Sequence, residues 1–141
     1  MKNLILTCGF ILLSAFRSGE GKEKVYLFSY FIGNGEDGLH LAYSRDGYNF
    51  TALNNDKPFL KPEVGISRLM RDPCIIRTDD DIFHMVWTAG WTERGIGYSS
   101  SRDLISWSEQ KYFAVMDKEP SARNTWAPEI FYDKKNKQFL I

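Results

Sequence analysis

The chain has 141 residues, the size of one domain, and its 43% hydrophobic and 26% charged content excludes a disordered segment. Lys plus Arg and Asp plus Glu number 18 each, so the formal net charge is zero and no global basic field favours nucleic acid as a partner. Aromatic residues make up 15% of the chain, four of them Trp, which suits packing on the C–H faces of sugar rings and equally the filling of a β core.

At the N-terminus, Lys2 precedes an apolar run from Leu4 to Phe16, broken only by Thr7, Gly9 and Ser14. The run is too short to span a bilayer comfortably, and small residues follow at Ser14, Ala15, Ser18 and Gly19, so it reads as an export signal. The expected division is a signal peptide over 1–19 and a folded domain over 20–141, in a secreted or periplasmic protein with no membrane contact beyond the leader. Of the two cysteines, Cys8 lies in the leader, which leaves Cys74 without a disulfide partner and reads it as a buried small apolar residue.

The first expected strand is Val25 to Ile32. Gly33 to Gly38 then fits G-x-G-x-x-G, but Leu39 to Tyr43 reads as another strand, so no helix N-terminus stands ready for a pyrophosphate and a hairpin loop is expected. Ser44-Arg45-Asp46 is a turn before Phe50, and Asn49-Phe50-Thr51 is a glycosylation sequon, meaningful only in a eukaryotic secretory pathway. Asp72-Pro73-Cys74-Ile75 opens a short strand, and Asp79 to Asp81 is a turn without the ligand spacing of a calcium loop. Ile82 to Thr88, Gly97 to Ser99, a second Ser-Arg-Asp turn at Ser101 to Asp103, Trp107 and a last run from Gln138 to Ile141 complete the series. His40 and His84 fall inside strands, as packing residues, and no metal site is read from the sequence.

These segments repeat. Val25-Tyr26-Leu27-Phe28 matches Ile82-Phe83-His84-Met85, and Ser44-Arg45-Asp46 matches Ser101-Arg102-Asp103, each 57 residues on. Ala42-Tyr43-Ser44 resembles Gly97-Tyr98-Ser99 two residues out of step, implying a small insertion in the second copy, and Asp72-Pro73-Cys74-Ile75 corresponds to Ala127-Pro128-Glu129-Ile130. Four strands per unit at this spacing predict an all-β fold: a partial β-propeller of about two four-stranded antiparallel blades and the start of a third, with Phe50 or Trp107 packing between blades. A closed propeller needs at least four blades, so the chain is expected to be a fragment.

Residues just before the innermost strand of a blade face the central funnel. Asp72 is therefore the candidate catalytic carboxylate, able to take a proton from water, with Arg71 beside it favouring the charged form. Trp126 opens the next blade at the equivalent place and would wall the funnel, Glu129 would make a polar contact near it, and Trp91 in the loop before Gly95 would border it. The ordinary alternatives are a turn cap for Asp72, a core plug for Trp126 and a solvent-facing Glu129.

Taken in order, Arg71-Asp72-Pro73-Cys74-Ile75, Trp87, Ser101-Arg102-Asp103-Leu104-Ile105-Ser106-Trp107 and Thr125-Trp126-Ala127-Pro128-Glu129-Ile130 resemble glycoside hydrolase family 43 over about residues 66 to 141, with Val25 to Leu53 fitting more loosely. The resemblance implies a five-bladed propeller that hydrolyses arabinofuranosides and xylosides in plant polysaccharides or oligosaccharides with inversion. It puts the general base on Asp72 and pocket-shaping roles on Trp126, Ala127 and Pro128. Glu129 stands where the family usually has Asp. The family's general-acid Glu and pKa-tuning Asp lie on later blades, so the chain is expected to be inactive alone. Family members often hold a calcium in the propeller axis, for which the sequence places no ligands. A non-catalytic sugar-binding propeller, and propeller enzymes acting on fructans or marine galactans, are the rival readings.

Overall fold

The computed structural model describes residues 24–141, so the expected signal peptide lies outside the described residues. Those residues are strand and loop apart from one 3-10 turn at Asn54–Asp56. They form three antiparallel sheets in chain order. The first holds β1 (Tyr26–Tyr30), β2 (His40–Ser44) and β3 (Thr51–Ala52). The second holds β4 (Arg71–Arg77), β5 (Phe83–Thr88), β6 (Ile96–Ser101) and β7 (Lys111–Phe113), and the third is the hairpin of β8 (Phe131–Asp133) and β9 (Gln138–Leu140). This is the expected all-β partial propeller: the second sheet is a whole four-stranded blade, the first has three strands, and the third has two.

The repeat is written into the strand register. Tyr26 pairs with Ser44 and Phe83 with Ser101, both partners shifted by the same 57 residues. Tyr43 faces Thr51 in the first sheet, and 57 residues on the Ser108 N–H donates to the Ser100 carbonyl at 2.8 Å. Ser100, not Tyr98, thus stands where Tyr43 stands, and β6 carries no insertion. The extra residue comes later: Ser101 bridges to Trp107 while Tyr98 pairs with Lys111, so three steps along β6 face four on the other chain. The fourth strand is accordingly Lys111–Phe113 rather than the segment at Trp107.

Both Ser-x-Asp turns close in the same way, because a short side-chain oxygen can take the place of a ladder carbonyl. Ser44 Oγ accepts the Gly47 N–H at 2.9 Å, and Asp46 Oδ1 accepts those of Tyr48 and Asn49 at 2.8 Å. Ser101 Oγ accepts the Leu104 N–H at 2.8 Å, and Asp103 Oδ1 those of Ile105 and Ser106 at 2.9 and 2.7 Å. Gly47 and Leu104 occupy the same left-handed position, at φ of 80° and 64°.

Alternation along β5 divides the core. Met85 and Trp87 point one way, to Leu39, Leu41 and Met70, in a cluster that joins the first two sheets. Val86 points the other way, to Ile96 and Ile130, joining the second sheet to the segment that leads into the third. Each such side chain, fully buried, contributes about 1.5–3 kcal/mol. Trp107 packs against the first cluster, as expected of a residue between blades. Phe50 does not: it lies 5.5 Å from Phe28 of its own sheet and is exposed. β1 also leaves Tyr26, Leu27 and Phe28 exposed. Cys74 is half-buried rather than sealed in the core.

Candidate functional site

The site lies at the end of the second sheet where β4 begins and β5 ends. Asp72 has φ of 49°, although a residue before proline is restricted by the ring that follows. The ladder to β5 shifts register between Arg71 and Cys74 at this point. A bulge of this kind re-aims a side chain. Here Thr88 Oγ1, at the end of β5, donates to Asp72 Oδ2 at 3.0 Å. The same hydroxyl accepts the Ala127 N–H at 2.8 Å. Ala127 also precedes a proline and has φ of 46°, so the correspondence of Asp72-Pro73 with Ala127-Pro128 extends to the backbone. Two successive blade starts therefore hang from one hydroxyl.

Arg71 and Asp72 do not form an ion pair, because Asp72 turns to Thr88 and Arg71 to Asn34. Arg71 Nη1 donates to the Asn34 carbonyl at 3.3 Å and to Asn34 Oδ1 at 3.1 Å. Its Cζ lies 4.2 Å from the centre of the Trp91 ring and 4.8 Å from that of Phe31. Trp91 Nε1 donates to the same Asn34 Oδ1 at 2.9 Å. Trp126 Nε1 donates to the Trp91 carbonyl at 3.0 Å, and the two indoles meet edge to face with centres 5.4 Å apart at 86°. Both indoles are about half exposed, at 47% and 51%. Arg71, Trp91 and Trp126 thus form one rim, and with Asn34 and Phe31 it draws on all three blade segments.

Asp72 adjoins this rim and lines an open cleft of about 430 Å³ together with Leu27 to Ser29, Pro73 to Ile75 and Ala127 to Glu129. Glu129 therefore shares the cleft with Asp72, while the indole of Trp126 contacts Trp91 in the rim and is not part of the cleft lining. The cleft brings two carboxylates, Asp72 and Glu129, into one lining, and no three His, Cys, Asp or Glu side chains converge among the described residues.

Four residues of this region carry no signal in the sequence. Asn34 and Phe31 sit in the loop between β1 and β2 and reach the site across 37 and 40 positions of chain. Thr88 ends an apolar strand and is recognisable only through its partners. Glu93, 5% exposed, accepts the Ser67 N–H at 2.8 Å beneath the Trp91 loop. Gly65 and Gly90 make room for its carboxylate, where any side chain would collide with it.

A family described as a probable glycosyl hydrolase domain, related to glycoside hydrolase family 43, matches residues 22–141. The chain belongs to this family. The match takes in the first sheet, which the sequence motifs alone fit only loosely. A solved glycosyl hydrolase from Bacteroides ovatus is 24% identical to the family 43-related domain, with a TM-score of 0.41 over 60% of this chain and 26% of that one. The domain thus spans about a quarter of that chain's length. No curated protein matches it.

Proposed function

We propose that the family 43-related domain supplies the base side of an inverting glycoside hydrolase acting on arabinose- or xylose-containing polysaccharides or oligosaccharides. The observation that carries this reading is the shared anchorage of Asp72 and Ala127 on Thr88, which sets a carboxylate beside a rim of two indoles. In this reading Asp72 is the general base: one oxygen is held by Thr88 and the other is left to take a proton from the attacking water. Trp91 and Trp126 offer apolar ring faces to the sugar, Arg71 donates hydrogen bonds, and Glu129 makes a polar contact from the cleft. Inversion needs a second carboxyl group roughly 6.5–9.5 Å away to protonate the leaving oxygen. The resemblance assigns that task to a Glu outside these 141 residues, so this chain alone is proposed to be inactive. The apolar run near the N-terminus supports a secreted or periplasmic destination.

Asp72→Asn in the full-length protein tests the assignment, because Asn keeps an oxygen for Thr88 while losing the base. Turnover of aryl arabinofuranosides or xylosides is expected to fall about 10²- to 10⁴-fold with sugar affinity retained. Unchanged turnover would remove Asp72 from the chemistry. A protein that binds sugar but turns nothing over in either form would be a binding propeller instead. Release of arabinose or xylose by the 141-residue chain itself would overturn its proposed inactivity.

A further inference from the structure

Arg71 is held by aromatic rings and a neutral amide. Its guanidinium carbon lies 4.2 Å from the centre of the Trp91 ring and 4.8 Å from that of Phe31, and all its hydrogen bonds to described residues leave from Nη1. Its Nε and Nη2 donors meet no acceptor among those residues. Its partner Asn34 is neutral, and no carboxylate among the described residues lies within ion-pair distance of it. Asp72, next in the chain, is turned away to Thr88.

A guanidinium keeps its charge at any working pH, and two aromatic faces attract it without neutralising it. The Nε–Nη2 edge presents two parallel donors, the pattern that matches the two oxygens of an oxyanion. Recognition of neutral hydroxyls needs no such fixed, uncompensated charge; an amide would suffice. The side chain is also held in place before any ligand arrives, so little rotamer freedom is lost when one binds.

We infer that Arg71 receives an oxyanion substituent, a carboxylate or a sulfate ester, carried by the carbohydrate. This rests on the sugar-binding reading given above and narrows it to anionic polysaccharides. Asn34 and Phe31, from the preceding blade, act as positioning residues for the guanidinium.

The test uses the full chain and three xylo-oligosaccharides of one length: one bearing a glucuronate, one bearing a sulfate ester and one unsubstituted. Binding is followed by calorimetry and by tryptophan fluorescence, to which Trp91, with its ring centre 4.2 Å from the guanidinium carbon, contributes. The charged ligand that fits is expected to bind about 10- to 100-fold more tightly than the unsubstituted one, in line with a charge-assisted hydrogen-bond pair. The preferred arm identifies carboxylate or sulfate as the source. Arg71→Gln should abolish the preference and Arg71→Lys should keep only part of it, since Lys retains the charge without the fork. Near-UV circular dichroism verifies the fold of each variant. If Arg71→Gln does not fold, Asn34→Ala takes its place, with a weakened preference expected. Equal affinity for all three ligands, or a preference that survives these substitutions, overturns the anion assignment and leaves the sugar site standing. If none of the three binds, both readings fall.

Discussion

The first two blades meet the same ladder position with opposite chemistry. Tyr30 faces His40 across β1 and β2, and 57 residues on Trp87 faces Gly97 across β5 and β6. In the second blade Trp87 is fully buried and lies directly over Gly97, where even a Cβ would sit inside the indole. In the first blade two medium-sized rings share the space, Tyr30 and His40, with centres 5.3 Å apart. They are tied by carboxylates: Asp56 Oδ1 lies 2.5 Å from the Tyr30 hydroxyl and 3.3 Å from His40 Nδ1, and Asp37 Oδ2 lies 2.8 Å from His40 Nε2. The register is common to both, so it fixes where a pair stands. Volume and partners then decide whether the pair is dry or polar. The dry solution has its own cost, since the Trp87 N–H is buried without an acceptor among the described residues.

The largest expected break in this comparison is Gly97→Ala. The methyl group has nowhere to go, and overpacking of this kind costs about 1–3 kcal/mol or more in chemical denaturation of the full chain. A cost below about 0.5 kcal/mol would show that the indole can move aside.

A smaller effect is expected where the blades agree. Asp46→Ala and Asp103→Ala each remove an acceptor of two backbone N–H groups, and both should lower the thermal midpoint by a few degrees and by similar amounts. A marked inequality would mean that the two turns are alike in form only.

The smallest effect is in pH dependence, where the two blades should part. Burial, with Asp56 as hydrogen-bond partner and neighbouring charge, pushes the Tyr30 hydroxyl up to about 12. Its contribution is therefore complete below the usual tyrosine range near 10 and is lost as pH rises through about 12, a loss that Tyr30→Phe should remove. Burial among Tyr98 and Phe139 lowers His84, with Asp80 opposing in part. That contribution is present above the ordinary histidine range and is lost as pH falls below it, a loss that His84→Phe should remove. Denaturant midpoints across the alkaline and acid ranges check both limbs, and a reversed slope in either variant would contradict the assignment.

What the sequence revealed was what repeats locally. Apolar runs located β1, β5 and β9, and the Ser-Arg-Asp pairs located two turns down to their hydrogen bonds. The likeness of Tyr43 to Tyr98 misled, because similarity of residue type says nothing about register, and the true slip sits between Ser108 and Lys111 where no motif marks it. Arg71, Trp91 and Trp126 were legible as a group, since each adjoins a blade start or a blade loop. Asn34 was not: its loop reads as an ordinary glycine-rich hairpin, and only the packing of one blade on the next brings it to Arg71 and Trp91. The separate partners of Arg71 and Asp72 were hidden for the reverse reason. Adjacency in the chain suggested partnership, whereas the bulge at Asp72 sends the two side chains to different neighbours.

The left-handed backbone at Asp72 implies a compromise between folding and chemistry. A left-handed L-residue sits about 1–2 kcal/mol above the ordinary helical conformation, and glycine would be the residue most at ease there. Glycine would also delete the carboxylate. Aspartate is among the few other side chains that tolerate this angle, so the position satisfies the backbone second-best in order to keep an acid at the mouth of the cleft. Ala127 repeats the angle with no functional group to justify it. Laboratory evolution for heat resistance alone should therefore drift toward glycine at both positions, harmlessly at one and at the expense of the proposed activity at the other.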